Sequence, residues 1–402
     1  GEITMEKPVI YLDHAATTYV KPEVFEAMKP YFIEQYGNAS SLYDVGRASR
    51  KAVEEARAAI ARCIGAAEPG EIYFTGSGTE ADNWAIKGAV YAARKKGGKH
   101  IITSAIEHPA VMETCKFLKK EGFDVTFLPV DSEGFVNPED VEKAIRPDTV
   151  IVSIMYANNE IGTIQPIKAI GEITRKHGVL FHCDAVQAAG TIPIDVRDLG
   201  MDLLSISSHK FYGPKGVGAL YIRKGVRLEN LIHGGHQERG KRAGTENVAG
   251  IVGMAKALEL AIANMEQYTD KISKLRDKAR DLILSRIPYV RLNGPVENRL
   301  PGNLNLSFQF IEGESLLLLL DMKGIKASSG SACSSGSLDP SHVLMAIGLT
   351  HEIAHGSLRL SFGEHNTEAD VDYLVDALEE IVARLRSMSP LYEDFVKANK
   401  QT

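Results

Sequence analysis

Leu203-Leu204-Ser205-Ile206-Ser207-Ser208-His209-Lys210 begins as an apolar, strand-like run and stops abruptly at two hydroxyls, an imidazole and an amine. A glycine-containing turn follows, and then a second apolar run over 217–222. Read as neighbouring buried strands, the two runs leave a lysine at the mouth of a sheet, where desolvation disfavours its charged form. Two readings stand at this point. Either the amine reaches back to solvent along its aliphatic stem, or it is paired, neutralised or covalently engaged.

Upstream, short β-rich runs at 71–75, 100–104, 125–129, 150–156, 179–183 and 202–207 alternate with helix-compatible segments at 81–95 and 109–120. That order predicts an α/β fold whose mainly parallel sheet is covered on both faces by helices, because several of the strands are apolar almost throughout. Ligands of such sheets gather at the carboxyl ends of the strands. Gly76-Ser77-Gly78-Thr79-Glu80 follows one predicted strand, Glu107-His108 another, Asn158-Asn159-Glu160 a third and Asp184-Ala185-Val186-Gln187 a fourth. From Gly250 the pattern turns helical through about residue 287; a strand over 302–310, a Leu-rich helix over 315–322, a strand over 356–361 and a final helix opened by a capping box at Thr367–Asp370 complete it. We therefore expect a large domain over 20–265 and a smaller α+β domain built from 5–19 and 266–402.

The 402 residues are 44% hydrophobic, enough to bury a large core, and 52 acidic against 46 basic residues give a net charge of -6 with no block of one sign. Nothing in that balance favours nucleic acid or an anionic membrane as a partner. The longest apolar run, Leu316-Leu317-Leu318-Leu319-Leu320, is far shorter than the roughly 20 residues of a membrane helix. Met5 reads as the native start, and no signal peptide opens the chain, so a cytoplasmic enzyme is expected. Cys63, Cys115, Cys183 and Cys333 lie far apart with no C-x-x-C pair, which predicts reduced thiols.

Gly76 to Ala81 sits between a predicted strand and helix, where backbone N–H groups and the helix dipole favour an anion. A phosphate cradle and a plain glycine turn both fit. So does the loose G-x-G-x-x-A dinucleotide pattern, with Glu107 as the ribose-binding acid of a nicotinamide dehydrogenase. His351-Glu352-Ile353-Ala354-His355 matches H-E-x-x-H, but Gly356 and a strand-like alternation follow at once, so the helix ends where a zinc site needs it to continue; no metal is expected.

Asp184 at a strand end is either a turn-capping carboxylate or a functional one. Together with Lys210 and a phosphate cradle it fits pyridoxal 5′-phosphate, which requires a Schiff-base lysine, a carboxylate for the pyridinium nitrogen and an anion site. His108 is then placed to stack over the ring and move protons. Cys333 lies in a serine- and glycine-rich stretch, Ala327 to Ser337, unlike regular core, which predicts an exposed thiol able to enter and leave a cofactor site.

These segments, with Tyr11-Leu12-Asp13-His14-Ala15-Ala16-Thr17-Thr18, Gly37-Asn38-Ala39-Ser40-Ser41 and Arg359, run in order through nearly the whole chain. In combination they resemble the cysteine desulfurases, pyridoxal-phosphate enzymes of the NifS and IscS type within the class V aminotransferase group. The resemblance implies a fold-type-I transferase with a seven-stranded, mainly parallel sheet, working as a homodimer with active sites near the subunit interface. It implies Lys210 as the cofactor lysine, Asp184 on the pyridinium nitrogen, His108 on the ring, and Gln187 and Asn159 on the phenolic-oxygen side. Gly78, Thr79, Ser207 and His209 would bind phosphate, joined by Thr245 from the other subunit; Arg359 would take the substrate carboxylate, with Asn38 beside it. Cys333 would accept sulfur from L-cysteine, leaving L-alanine and a persulfide for a sulfur-acceptor or scaffold protein in iron–sulfur cluster assembly or tRNA thiolation. A selenocysteine lyase or another amino-acid lyase shares the same ring chemistry. The cradle Gly76-Ser77-Gly78-Thr79 and the segment His233 to Gly240 depart slightly from the family's usual spelling, without losing a required group.

Overall fold

The computed structural model describes residues 8–329 and 339–400. Its strands are β1 (Ile10–Tyr11), β2 (Ile72–Thr75), β3 (His100–Ser104), β4 (Asp124–Leu128), β5 (Thr149–Ser153), β6 (Leu180–Asp184), β7 (Leu203–Ser207), β8 (Gly218–Ile222), β9 (Val290–Leu292), β10 (Asn303–Phe308), β11 (Ile325–Lys326), β12 (Ser328–Ser329) and β13 (Ser357–Ser361). A seven-stranded sheet has the order β2-β8-β7-β6-β5-β3-β4, and a four-stranded sheet the order β12-β13-β10-β9. In the large sheet β4, β3, β5, β6 and β7 are parallel, and β8 runs against both β7 and β2. The architecture is α/β with a mainly parallel sheet plus a smaller antiparallel one.

Strands β3, β7 and β8 are buried at every residue, as expected when helices cover both faces. Alternation sends neighbours to opposite cores: Leu203 packs with Trp84, Ile101 and Leu220, while Leu204 packs with Ile60, Phe181 and Met254. A separate core formed by Leu306, Leu316, Leu360 and Leu378 lies on the small sheet. Because β3, β5, β6 and β7 are parallel, their carboxyl ends share one edge of the sheet. The segments carrying His108, Asn159, Asp184 and Lys210 therefore leave the sheet side by side.

The continuous helical stretch expected over 250–287 is two helices, Val248–Ala263 and Met265–Arg286, bent by 73° at Asn264. The helical periodicity on either side of Asn264 is unbroken in sequence, and the bend appears only where one helix packs on each core. No single helix among the described residues is long and apolar enough to cross a membrane. The helix His351–His355 ends at Gly356, and β13 begins one residue later.

The segment 233–245 is fastened by a buried ion pair. Glu238, in the left-handed region at φ 48°, accepts from Arg57 at 2.6 and 2.8 Å and from the Phe74 N–H at 2.9 Å. Both side chains are almost fully buried. Glu238→Ala leaves Arg57 only Glu54 and the Ile72 carbonyl and frees the Phe74 N–H, so it is expected to lower unfolding free energy by about 1.5–3 kcal/mol, seen as a fall in denaturant midpoint.

Candidate active site

The carboxyl ends of β5, β6 and β7, the start of the helix Gly78–Ala93 and the segment around Asp13 enclose a cleft of about 580 Å³. Lys210 closes a short 3₁₀ turn after β7, and its Nζ donates to the carbonyls of Ala15 at 2.5 Å and Ala16 at 2.9 Å. Burial pushes its amine down to about 8, helped by the Arg359 charge and opposed by Asp13 and Asp184. An ordinary lysine titrates at 10.5. At pH 7 the free-amine fraction is thus roughly 300-fold larger than that of an exposed lysine. The rate at which an aldehyde modifies Lys210 in the cofactor-free protein is expected to rise with pH to a midpoint near 8; a midpoint above about 10 would refute this.

Asp184 ends β6 almost fully buried and accepts the Val186 N–H at 3.0 Å, so it both caps the turn and lines the cleft. His108 caps the helix Pro109–Lys120, its Nδ1 accepting the Ala110 N–H at 3.0 Å. The neutral ring therefore carries its proton on Nε2. The ring is open to the cleft yet ringed by protein. That desolvation pulls its pKa down, against Asp184 and with Lys210 and His342.

Gly78 and Thr79 open their helix after Ser77, whose hydroxyl accepts the Glu80 N–H at 3.0 Å. The N–H groups at such a start have no partner within the helix and face the cleft mouth. A Cβ on Gly78 would stand 2.9 Å from Val186 Cγ2 and 3.1 Å from Ser207 Cβ, so a side chain here would press on both neighbours. His209 bonds Thr17 Oγ1 at 3.0 Å, and burial beside Lys210 and Lys215 pulls its imidazole down to about 4, leaving it neutral. Gln187 Nε2 donates to the Ala15 carbonyl at 3.1 Å.

Arg359, at the centre of β13, is held from two sides. One terminal nitrogen donates to the Asn159 carbonyl at 3.0 Å and the other to Asp13 at 3.2 Å, leaving Nε buried and unpartnered. Asp13 is fixed in turn by the Ser328 hydroxyl at 2.7 Å. A guanidinium held in this orientation at the cleft suits a carboxylate.

Gly78, Thr79, His108, Asn159, Asp184, Gln187, Ser207, His209, Lys210 and Arg359 all line this one cleft. Asn38 and Thr245 do not: both are exposed, and Asn38 caps its own turn by accepting the Ser40 N–H. Cys333 lies outside the described residues. Glu107 is fully buried, accepting from Ser104 and from the Met155 N–H at 2.9 Å, and burial pushes it up to about 8. Engaged below the cleft floor, it cannot reach a ribose, which removes the dinucleotide reading. Asp13, Asp82, Glu160 and His342 also line the cleft and are not singled out by sequence reasoning. Only Glu160 stood in a strand-end motif; the others sit in elements whose approach depends on tertiary packing.

The family described as aminotransferase class-V matches residues 10–374. The cysteine desulfurase IscS of Clostridium botulinum is 59% identical over 98% of this chain and 98% of its own length. A solved NifS-like protein superposes with a TM-score of 0.88 at 42% identity, covering 94% of this chain and 100% of that one. A structure titled SspA in complex with cysteine superposes with a TM-score of 0.79 at 38% identity, covering 89% and 100%. With this agreement along almost its whole length, the chain belongs to the class-V aminotransferase family and, within it, to the cysteine desulfurases of the NifS and IscS type.

Proposed function

We propose that the chain binds pyridoxal 5′-phosphate in the cleft and converts L-cysteine to L-alanine, with the substrate sulfur passing to Cys333. The observation that carries the reading is convergence. A lysine with a depressed pKa, a buried carboxylate and a helix N-terminus opened by Gly78 and Thr79 meet in one cleft. Lys210 would hold the cofactor covalently, Asp184 its ring nitrogen, His108 its ring face, and Asn159 and Gln187 its phenolic side. Gly78, Thr79, Ser207 and His209 would hold its phosphate. When bound, the cofactor supplies an electron-withdrawing ring that acidifies the Cα–H of an attached amino acid.

The chain's own groups do the rest. Arg359 binds the substrate carboxylate and fixes which bond faces Lys210. The Lys210 amine, free at a pKa of about 8, takes the Cα proton. His108, with its proton on Nε2, lies within the same cleft to exchange a proton with the substrate. Cys333 thiolate attacks the substrate sulfur; the new S–S bond forms as the C–S bond breaks, the carbon that keeps the electron pair takes up the proton given up by the substrate thiol to become the alanine methyl, and Lys210 returns its proton to Cα. The persulfide then passes to a sulfur-acceptor or scaffold protein, serving iron–sulfur cluster assembly or tRNA thiolation. Cys333 favours sulfur transfer over a selenocysteine lyase, whose product needs no protein thiol.

We also propose a homodimer. Phe32, Ile33, Tyr36, Leu42 and Tyr43 are exposed within one short segment, far more apolar surface than isolated side chains account for. Asn38 lies among them. Covering that face with a second copy supports the assignment of Thr245 and Asn38 to cleft construction. A division near residue 265, with 5–19 joining the second part, and a cytoplasmic setting complete the proposal. The test is to add L-cysteine, measure L-alanine, and weigh the peptide containing Cys333. Alanine together with one added sulfur is expected, and alanine without it would sink the role of Cys333.

A further inference from the structure

Two cations of the cleft, Arg359 and Lys210, are held by one short stretch of chain. Asp13 Oδ1 accepts the Ser328 hydroxyl at 2.7 Å and an Arg359 terminal nitrogen at 3.2 Å. Ser328 stands directly opposite Arg359 where β12 pairs with β13, so a single carboxylate oxygen spans a cross-strand pair. The backbone of Asp13 is set in turn by its bridge to Ser361 on the same strand as Arg359. Just beyond it, the carbonyls of Ala15 and Ala16 receive the Lys210 amine, and the Ala15 N–H is tied to the Ser361 hydroxyl at 2.9 Å. The Asp13 and Arg359 side chains are both mostly buried, so their contact is screened less than a surface pair. An arginine has many rotamers to lose, and the hold from Asp13 on one side and the Asn159 carbonyl on the other removes them before a ligand arrives.

We infer that Asp13 is a positioning residue: together with the Ala15 and Ala16 carbonyls it fixes the spacing between Arg359 and the free Lys210 amine, and so selects ligands whose carboxylate and amine share one carbon. An α-amino acid held by its carboxylate on Arg359 presents Cα one bond away from that anchor, whereas a β-amino acid inserts a methylene and overshoots. Without an acceptor at position 13, the guanidinium keeps the Asn159 carbonyl and loses the contact that sets its tilt. The sign of the effect separates two roles. A carboxylate that positions Arg359 strengthens ligand binding, while one that merely competes for the guanidinium weakens it. The selection rests on the function proposed above; the hold on Arg359 rests on the side chains alone.

Phenylglyoxal, which adds to guanidines, reads the hold in the cofactor-free protein, with the Arg359 peptide followed by mass spectrometry. Arg359 is expected to react about fivefold faster or more in Asp13→Ala than in wild type, and within about twofold of wild type in Asp13→Asn, which keeps an oxygen for Ser328 and Arg359. Equal rates in wild type and Asp13→Ala overturn the inference. If Asp13→Ala does not fold, Ser328→Ala, which removes only the hydroxyl that steadies Asp13, is expected to speed the reaction about twofold; no change overturns it. The protein loaded with pyridoxal phosphate reads the selection through the cofactor's visible absorbance. Asp13→Ala is expected to bind L-alanine about tenfold more weakly and methylamine, which has no carboxylate, within about twofold of wild type. Its preference for L-alanine over β-alanine should shrink, and Asp13→Asn should restore most of it. Tighter L-alanine binding in Asp13→Ala makes Asp13 a competitor and overturns the positioning role, as does an equal loss for L-alanine and methylamine. A wild type that takes up no pyridoxal phosphate refutes the proposed function and the selection with it, while the phenylglyoxal rates still decide the hold.

Discussion

Lys210→Ala is expected to reduce alanine production from L-cysteine by about 10⁴-fold or more, the upper range for loss of a single proton-transfer group. The loss is compound, because the same amine is assigned both the covalent hold on the cofactor and the Cα proton. Its geometry supports both duties. Nζ sits against the Ala15 and Ala16 carbonyls, and burial with Arg359 keeps it at a pKa of about 8. The variant keeps the anion cradle at Gly78 and Thr79, so pyridoxal phosphate should still bind reversibly. Borohydride should fix the cofactor to the Lys210 peptide of wild type and to nothing in the variant, as read by mass spectrometry. Turnover in Lys210→Ala above about a hundredth of the wild-type rate would sink the assignment.

The second large effect is expected at Cys333. Cys333→Ser should cut sulfur transfer by at least about 10²-fold while leaving cofactor affinity and visible spectrum unchanged. A serine hydroxyl stays protonated at neutral pH and attacks sulfur poorly, whereas an unperturbed thiol is already a few per cent thiolate. The other cysteines cannot substitute. Burial pushes Cys63 up to about 11 and Cys115 up to about 12, and it raises Cys183 well above the ordinary thiol range. Persulfide found on any of these in the variant, with turnover retained, would overturn the assignment; so would loss of the bound cofactor.

Much of the site was legible because a parallel sheet turns sequence order into spatial order. Once 100–104, 150–156, 179–183 and 202–207 read as parallel strands, the residues just beyond them had to share an edge, and His108, Asn159, Asp184 and Lys210 do. Asp13 and His342 were not legible. They arrive from outside the large sheet, and their place in the cleft depends on how β1 and the segment after residue 339 pack. Asp82 was hidden for another reason: an aspartate in the second turn of a helix reads as solvent-facing, and only the sheet beneath it shows that it is buried. The bend at Asn264 was missed because helix-forming residues continue through it without a proline or glycine.

The clamp on Lys210 also carries a timetable. β1 pairs with β11, Ile10 opposite Ile325, and Asp13 bridges Ser361, while the Ala15 N–H donates to the Ser361 hydroxyl at 2.9 Å. The carbonyls that receive the lysine amine are thus held by a strand 346 residues further along the chain. Closing so long a loop comes late in folding, after local helices and neighbouring strands have formed. A nascent chain that has not yet reached Ser361 can complete its seven-stranded sheet, whose last strand ends at Ile222, and still lack the seat for its lysine. The seat of Lys210 is in this way tied to the arrival of β13 rather than to completion of the large sheet.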